Sequence, residues 1–375
     1  MTSPPQGPST VIRSAIASAL DRKQPAFSGA VVLASVDRAV VVSEAVGRTI
    51  RWADDAFTDW DGTAADVTPE TIFDLASITK LFTAAATLVA LDERGLSADT
   101  LVADFLPEFL DGAAAGTTVR QLLSHTGGWA SEWRGYHGDG EDLSRFRQLR
   151  PEVAPGVRHE YSCVGYIWAG LLAEAVSGEP LDVIVQRVLL DPLGMSTTMF
   201  RPAEELIPRI AATEFQQATL QQAAGVIHGL VHDETARALG GVAGNAGLFS
   251  TAEDLLRFAE LIRHAGMRGD VRILPEWVVG AMTTDQVGDA SRSEDRSYGQ
   301  ALGPRIDDRT LMGNLAGNGA VGHGGFTGTA LITQPHGQIS LVFLTNRVHP
   351  SRHWTDLREL REIVGDEVAK LQELQ

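Results

Sequence analysis

Cysteine is almost absent from this chain. Cys163 is the only cysteine among 375 residues, so no intramolecular disulfide is possible. No group of cysteines and histidines has the spacing of zinc ligands, and we expect neither a metal nor another cofactor. A chain without disulfides suits a reducing compartment, which predicts a cytoplasmic protein.

Long apolar runs are absent as well. No run approaches the roughly 20 residues that span a bilayer. The first 23 residues are polar, and Arg13 breaks their one apolar stretch, so they lack the regions of a secretory signal. We therefore expect no membrane association, in keeping with the cytoplasmic prediction.

Positive charge is scarce, and lysine is scarcest. The net charge is −17, which disfavours nucleic acids and anionic membranes as partners. Of 31 basic residues, only Lys23, Lys80 and Lys370 are lysines. This chain uses arginine almost everywhere that a simple positive charge would serve.

Hydrophobic periodicity predicts strands near both ends of the chain and helices between them. Strands are expected at 26–36, 39–48 and 71–77, and as a pair over 329–346 joined at His336-Gly337. Helices are expected at 11–22, 77–95, 117–125, 164–178, 181–194, 251–266 and 354–374. Ser250 followed by Glu253 predicts the cap of the helix at 251–266. The polar stretch 285–297 is expected to be an exposed loop.

This order predicts an α/β (α+β) fold. We expect an antiparallel sheet flanked by helices, built from residues 1–93 and 275–375. Residues 94–274 would form an inserted, all-helical domain. The active site is then expected where the two domains meet.

Ser77 and Lys80 form the centre of the candidate site. Residues three apart share one face of a helix, so a helix that starts near Ser77 places the Lys80 amine beside the Ser77 hydroxyl. A serine becomes a good nucleophile when a base takes its proton, and burial favours the neutral amine that acts as such a base. Arginine stays protonated, so a lysine here favours a catalytic role. The pattern alone also fits an N-cap serine followed by a solvated lysine.

Two further segments suit acyl transfer. Tyr161 precedes a helix, where its phenol is suited to relay a proton, although a half-buried structural tyrosine fits the same pattern. The segment 322–328 (GHGGFTG) stands at the start of a predicted strand, and its glycines allow a substrate to lie against the backbone. N–H groups of that strand and of Ser77 suit an oxyanion hole. The alternative is a glycine-rich turn with a solvent-facing histidine.

In this order the motifs resemble the serine β-lactamases and penicillin-binding proteins, together with the esterases, D-aminopeptidases and transacylases that share their fold. That superfamily carries S-x-x-K, then Y-x-N, then K-T-G or H-x-G. The chain carries Ser77-x-x-Lys80, Tyr161-x-Cys163 and His323-x-Gly325. The resemblance covers roughly residues 27–350, and the supporting stretches are 122–129, 161–178, 240–255, 322–333 and 343–350.

The resemblance implies a role for each matching residue. Ser77 corresponds to the acyl-accepting nucleophile, and Lys80 and Tyr161 to the groups that handle protons. The oxyanion donors would be the N–H groups of Ser77 and Phe326. His323 stands where the penicillin-recognising members carry a lysine.

Other positions correspond to the walls of the substrate site. Gly324 and Gly325 follow His323 along the strand that lies beside the substrate. Asn346 and Arg347 occupy a stretch that helps to recognise a carboxylate or polar group. Trp129, by its own sequence context in a Trp/Gly-rich loop, is expected to line an apolar acyl pocket.

Cys163 departs from the superfamily pattern. It stands where the third position of Y-x-N carries an asparagine, whose amide contacts catalytic groups and a substrate amide. A thiol is a weak donor and a weak acceptor. Cys163 is either a buried, inert thiol or a second nucleophile, and no histidine adjoins it in sequence.

The function predicted from these residues is two-step acyl transfer. Ser77 would attack an ester or small amide, and water would release the acyl group. A transacylase that passes the acyl group to an amine or alcohol is the first alternative. A non-catalytic, penicillin-binding-like sensor is the second, and the complete Ser/Lys/Tyr set disfavours it.

Overall fold

The structure is a computed structural model of the chain. It describes residues 7–218, 224–287, 297–353 and 355–374. Most of the loop predicted over 285–297, and the first residue of the helix predicted over 354–374, lie outside this part.

The described strands gather mainly into one sheet. They are β1 (Gly29–Val36), β2 (Ala39–Gly47), β3 (Phe73–Asp74), β4 (Met199–Phe200), β5 (Phe215–Gln216), β6 (Gly225–Val226), β7 (Leu248–Ser250), β8 (Met267–Arg268), β9 (Val271–Arg272), β10 (Gly299–Gln300), β11 (Arg305–Ile306), β12 (Val321–Gly324), β13 (Ala330–Thr333) and β14 (Ile339–Thr345). Seven of them form an antiparallel sheet in the order β10-β11-β12-β13-β14-β1-β2. A smaller sheet joins β3, β7 and β4. The central strands therefore come from the two ends of the chain.

The described helices flank and extend this sheet. They are α1 (Pro8–Leu20), α2 (Thr79–Asp92), α3 (Val119–Leu123), α4 (Asp142–Phe146), α5 (Cys163–Ser177), α6 (Leu181–Val185), α7 (Asp191–Leu193), α8 (Glu234–Ala238), α9 (Ala252–Arg263), α10 (Glu276–Thr283), α11 (Arg309–Met312) and α12 (Arg358–Ala369). No helix in the described ranges is long and apolar enough to cross a bilayer.

Strand β1 shows why helices cover both faces of the sheet. Every residue of β1 is buried. Alternate side chains of a strand point to opposite faces, and Val31 and Leu33 belong to one core cluster while Ala30 and Val32 belong to another. Helices α2 and α9 contribute to the first cluster, and α1 and α12 to the second.

The predicted fold class is confirmed, because the sheet is antiparallel, is built from both chain ends and is flanked by helices. Residues 94–274 are mainly helical but not all-helical, since they also contain the short strands β4 to β9. Two further local predictions need correction. The α-helix begins at Thr79, since a 3-10 turn over Ala76–Ile78 precedes it. The cap of α9 is Thr251, whose hydroxyl accepts from the Asp254 N–H, whereas the Ser250 hydroxyl bonds to Thr198 at 2.7 Å. The division of the chain at residues 93 and 275 into two domains stays a prediction.

Candidate active site

A strained turn presents Ser77 at the start of α2. Ala76, which precedes it, has a positive φ of 45°, a region that residues other than glycine seldom adopt. The buried carboxylate of Asp74 accepts hydrogen bonds from the N–H of Ala76 at 2.8 Å and from that of His232 at 2.7 Å. These contacts hold the turn in place, and backbone strain of this kind clusters at functional sites.

Lys80 lies one turn further along the helix and is fully buried, with 0% of its side chain exposed. Its amine donates to Ser77 Oγ at 2.9 Å, to the carbonyl oxygen of Asn245 at 3.0 Å and to Cys163 Sγ at 3.5 Å. Three separate segments of the chain therefore fix the amine beside the Ser77 hydroxyl.

The charge of Lys80 differs from the expectation that burial alone would make it neutral. Burial lowers the pKa of Lys80, but the negative charge that Cys163 and Tyr161 gain when they ionise at alkaline pH, and a hydrogen bond to Tyr161, raise that pKa by more. The net direction is upward. Lys80 therefore holds its proton more tightly where those two groups are ionised, and it must lose that proton before it can act as a base.

Tyr161 stands just before α5 and reaches both of these groups. Lys80 Nζ lies 5.0 Å from the centre of its ring. Burial raises the pKa of the Tyr161 phenol, against the opposing effects of the Lys80 charge and of hydrogen bonds to Lys80 and Ser77. A protonated phenol between these two side chains is suited to pass a proton.

The thiol of Cys163 is held in its neutral form. Burial raises its pKa, while the charge of Lys80 and the amide of Asn245 oppose that effect. A neutral thiol is a poor nucleophile, so the geometry favours Ser77 over Cys163 as the acyl acceptor.

The hairpin of β12 and β13 closes the other side of the site. His323 is buried, and its Nδ1 lies 2.8 Å from the Gly324 carbonyl oxygen, which makes Nδ1 the donor. Burial, together with the charges of Arg305 and Lys80, holds the pKa of His323 well below its usual range. His323 is therefore a neutral imidazole whose Nε2 has no partner within the described protein, and it does not replace the charge of a lysine.

The same hairpin is tied to the segment that precedes Ser77. The hydroxyls of Thr327 and Thr329 donate to the carbonyl oxygens of Asp74 and Leu75 at 2.7 and 3.0 Å. Gly325 fits into this contact because a Cβ there would lie 2.4 Å from the Leu75 oxygen. The close approach keeps the β12 end next to the nucleophile.

Two N–H groups at this junction are free to serve a ligand. Among the described residues, neither the Ser77 N–H nor the Phe326 N–H donates to a protein acceptor. Both residues border one cavity of about 460 Å³. The predicted oxyanion hole is compatible with this arrangement, and it stays a prediction.

That cavity contains most of the predicted site residues and three arginines. Its walls include Ser77, Tyr161, Arg305, Thr310, Leu311, His323, Gly324, Gly325, Phe326, Arg347, Thr355, Asp356, Leu357 and Arg361. Asp356 is the only acidic side chain among these described residues. Two of the three arginines, Arg347 and Arg361, form no ion pair with a described carboxylate, so the cavity is electropositive in a protein of net charge −17.

Arg361 is the least satisfied of these arginines. It donates from Nη2 to the Thr329 carbonyl oxygen at 3.3 Å, and its buried Nε has no partner among the described residues. Burial and the neighbouring charge of Arg347 lower the pKa of Arg361 to about 10. A guanidinium with a free donor suits an anionic group of a substrate.

Besides Cys163, two predicted substrate-binding residues do not border the cavity. Trp129 is buried in the core, with its ring 5.4 Å from that of Phe109 and 5.5 Å from that of Trp168. Asn346 uses its amide inside the fold: Oδ1 accepts from the N–H groups of Ser28 and Gly29, and Nδ2 donates to Ser28 Oγ and to the Ala212 oxygen. Neither side chain borders the cavity in this structure, and the substrate-binding roles of both residues stay predictions.

Sequence reasoning missed Arg305, Arg361 and Asn245. Arg305 and Arg361 stand in no motif, and Asn245 lies in the supporting stretch 240–255 without a role of its own assigned. Tertiary packing brings β11, the first turn of α12 and the turn before β7 to Ser77 and Lys80. No described group of three or more histidine, cysteine or acidic side chains has the geometry of a metal site.

Comparison with known proteins gives a consistent result. The sequence profile of the family described as Beta-lactamase matches residues 13–365. A provisionally named D-alanyl-D-alanine carboxypeptidase of Escherichia coli K12 is 33% identical over 316 residues, which are 75% of this chain and 70% of that protein. A protein of the same provisional name from Salmonella agona is 30% identical over 318 residues, 75% of this chain and 71% of that protein.

Solved structures of similar fold cover nearly the whole chain. EstCE1, described as a hydrolase with promiscuous acyltransferase activity, has a TM-score of 0.71 at 22% identity and covers 96% of this chain and 98% of its own. The simvastatin synthase LovD of Aspergillus terreus has a TM-score of 0.75 at 17% identity and covers 99% of this chain and 100% of its own. At these identities the likeness concerns the fold.

Proposed function

Because this chain belongs to the beta-lactamase family, we propose that it hydrolyses an ester or small amide through an acyl-enzyme on Ser77. The observation that carries the proposal is the 2.9 Å contact between the buried Lys80 amine and Ser77 Oγ beside an open cavity. A lysine that has no solvent contact and lies next to a serine hydroxyl is suited to transfer protons, and it cannot serve as a surface charge that keeps the protein in solution.

The proposed acylation begins with a neutral Lys80 amine. It takes the proton of Ser77 while Oγ forms a bond to the substrate carbonyl carbon, and the carbonyl electrons move to oxygen. The N–H groups of Ser77 and Phe326 stabilise that negative charge. When the tetrahedral intermediate collapses, the Tyr161 phenol gives its proton to the leaving oxygen or nitrogen and regains one from Lys80.

Release of the acyl group runs through the same groups. Water attacks the acyl carbon, gives a proton to the Tyr161–Lys80 pair and displaces Ser77 Oγ, which takes a proton back. Each step conserves protons within the site, so no metal or organic cofactor is required by the proposal.

We further propose that the preferred substrate carries an anionic group near the scissile bond. Arg347 and Arg361 support this, since both border the Ser77 cavity without a carboxylate partner among the described residues. The relatives provisionally named for carboxypeptidase activity act, by that name, on a substrate that ends in a carboxylate. A small acylated amino acid or a carboxylate-bearing ester fits this chemistry.

Mass spectrometry of the intact protein tests the nucleophile. Incubation with an activated aryl ester should add one acyl group that maps to Ser77, and Ser77→Ala should acquire none while keeping its melting temperature. An adduct on Cys163 would replace the serine mechanism by a thiol one, and no adduct across esters, amides and β-lactams would favour the non-catalytic sensor.

A matched pair of esters tests the anionic group. An ester with a carboxylate and its neutral carboxamide analogue should differ in kcat/KM in favour of the carboxylate. Arg361→Met should lower the ratio of kcat/KM for the carboxylate ester to that for the carboxamide by about ten- to hundredfold. This is the range for one lost hydrogen bond to a charged group. The neutral ester provides the control, because its kcat/KM should change little in the variant. If the wild-type enzyme had the same kcat/KM for both esters, the proposal would be wrong.

Partitioning of the acyl-enzyme separates hydrolysis from transfer. Transfer to amines or alcohols is the second candidate, supported by the fold shared with EstCE1 and LovD. Adding acceptors at rising concentration should yield mostly free acid if the enzyme is a hydrolase. A dominant amide or ester product would make it a transacylase.

A further inference from the structure

His125 combines a strained backbone with almost complete burial. Its φ is 60°, in the left-handed region that residues other than glycine seldom adopt, and only 3% of its surface is exposed. It stands two residues after the end of α3, in a stretch to which the sequence assigns no chemical role. A strained residue persists where its surroundings fix it firmly, and such residues cluster at functional sites.

The hydrogen bonds of His125 lie on both sides of Tyr161. Its backbone oxygen accepts from the N–H of Glu160 at 2.9 Å, and its ring Nδ1 accepts from the N–H of Ser162 at 3.1 Å. The centre of its ring lies 4.7 Å from the centre of the Tyr161 ring. One residue therefore binds the backbone immediately before and after Tyr161 and also packs against the phenol ring.

The contact with Ser162 fixes the protonation of the imidazole. A backbone N–H can only donate, so Nδ1 carries no proton and Nε2 carries the one proton of the neutral ring. Burial is the main cause that holds the pKa of His125 well below its usual range. At this contact the ring is therefore an acceptor at neutral pH.

The Ser162 N–H depends on this acceptor. Ser162 is the N-cap of α5, and its hydroxyl accepts from the Gly165 N–H at 2.9 Å and donates to the Ala130 oxygen at 2.6 Å. The backbone N–H of a cap residue has no partner within its helix. In the described part of the chain, this buried N–H donates to His125 alone. Without Nδ1 it would be unsatisfied, which favours a displacement of the segment around Tyr161.

We propose that His125 is a positioning residue that holds Tyr161 where its phenol can give a proton to the leaving group. The backbone oxygen and Nδ1 of His125 fix the chain on either side of Tyr161, and the imidazole supports the ring. This inference rests on the proposed function, since Tyr161 is the proton donor of the proposed acylation.

Two esters with the same acyl group and different leaving groups test the proposal. A nitrophenolate leaves without a proton, whereas an alkoxide needs one, and kcat/KM reports the acylation step for both. His125→Gly removes the acceptor at a φ that glycine adopts without strain. It should lower kcat/KM for the alkyl ester by up to about a hundredfold, the effect of a misplaced reacting group, and leave that for the nitrophenyl ester nearly unchanged.

His125→Asn is the rescue variant. Asparagine tolerates a positive φ, and its Oδ1 is as many bonds from Cβ as Nδ1 is, so it can accept from Ser162. This variant should keep kcat/KM for the alkyl ester close to that of the wild type. If His125→Gly does not fold, His125→Leu replaces it, since leucine fills most of the ring volume without an acceptor.

His349→Ala is the matched control. His349 is another buried histidine, whose Nε2 accepts from the N–H groups of Arg51 and Trp52 at 3.1 Å, and it does not border the Ser77 cavity. Its loss should lower the melting temperature without changing the ratio of the two kcat/KM values.

Three outcomes would overturn the proposal. The first is an unchanged kcat/KM for the alkyl ester in the glycine variant. The second is an equal loss on both esters, which would make His125 a structural residue only. The third is a further loss when His125→Gly is added to Tyr161→Phe, because a residue that acts through the phenol has no effect once the phenol is gone.

A nuclear magnetic resonance experiment separates this inference from the proposed function. In isotope-labelled wild-type protein, the Ser162 amide nitrogen should show scalar coupling to His125 Nδ1 across their hydrogen bond, and no substrate is needed. Absent coupling would contradict the contact even in an active enzyme. Observed coupling in a protein that no ester acylates would leave the contact standing and remove only the proposed activity.

Discussion

Lys80 is the one lysine of the chain that is buried, since Lys23 and Lys370 are exposed. Lys80→Arg should be nearly as damaging as Lys80→Ala, with a loss of at least about a hundredfold in kcat, the lower range for acid–base catalysis. Arginine keeps the charge but does not give up a proton at working pH. Steady-state kinetics on an aryl ester would measure this, with Lys23→Arg as the control. An arginine variant that keeps most of its activity would show that charge alone is needed.

The pH dependence follows from the raised pKa of Lys80. Activity needs the neutral amine, so kcat/KM should increase as pH rises through that raised value. Ionised Cys163 is the strongest of the effects that raise the pKa of Lys80. Cys163→Ser removes the ionisable thiol at nearly the same volume, and the acidic limb of the profile should therefore move to lower pH.

The control for that experiment is a neutral ester, whose own ionisation does not enter the profile. In the serine variant the effects of Tyr161 on the pKa of Lys80 remain, and only that of Cys163 is removed. A limb that stays in place would mean that another group sets it, with Tyr161 as the first candidate.

The loss of the Y-x-N amide also bears on β-lactams. One missing hydrogen bond to the substrate amide typically costs ~0.5–1.5 kcal/mol, and the neutral His323 adds no charge where other members carry lysine. Hydrolysis of a cephalosporin should therefore be weak or absent beside that of a simple aryl ester. Comparing kcat/KM for the two substrates measures this, and a cephalosporin turned over as fast as the best ester would contradict it.

At the scale of elements, the packing of the turn before β7 against α5 can be tested by substituting Gly244. Gly244→Ala places a Cβ 1.9 Å from the Tyr166 oxygen of α5, so something must shift. Overpacking of this kind typically costs ~1–3 kcal/mol of unfolding free energy. We expect a lower melting temperature together with reduced kcat, because the displaced turn carries Asn245.

Gly280→Ala is the matched control. Gly280 is exposed within α10, and a Cβ there would meet nothing within 4 Å. Alanine in a helix interior is favoured over glycine by ~0.5–1 kcal/mol, so this variant should be slightly more stable and fully active. A Gly244→Ala protein as stable as the control would mean that α5 and the turn can move apart.

The elements also show how far sequence reasoning reaches. Strands β1 and β2 were predictable because their apolar runs flank a short polar joint, and Ser77 and Lys80 because three residues along a helix bring side chains together. The predicted start of α2 is wrong, since the 3-10 turn depends on the Asp74 carboxylate, which also accepts from the N–H of His232 in a distant segment. The sequence around Trp129 and Arg361 does not show which of the two side chains borders the cavity, because the packing of whole elements decides this.

At the scale of the whole molecule, the last helix is part of both the core and the site. Leu360 and Val364 of α12 pack in the same core cluster as Ile12 and Ile16 of α1, and Arg361 borders the cavity. A chain ending at Leu357 should therefore lose cooperative thermal unfolding and expose apolar surface. A chain ending at Gln372 keeps α12 and should unfold as the full chain does, when both are followed by circular dichroism. A cooperative transition in the shorter chain would show that the sheet is stable without this helix.

The pairing of β1 with β14 at the centre of the sheet affects how the chain folds during translation. Strand β1 lies between β2, its neighbour along the chain, and β14, which begins at Ile339. A ribosome therefore releases the hairpin of β1 and β2 some 300 residues before the strand that completes it, and one edge of β1 stays open throughout translation. Open, apolar strand edges are where nascent chains aggregate. We therefore expect chaperones that shield β1 until the ribosome has nearly finished to raise the yield of folded protein, which expression with and without added chaperone would measure.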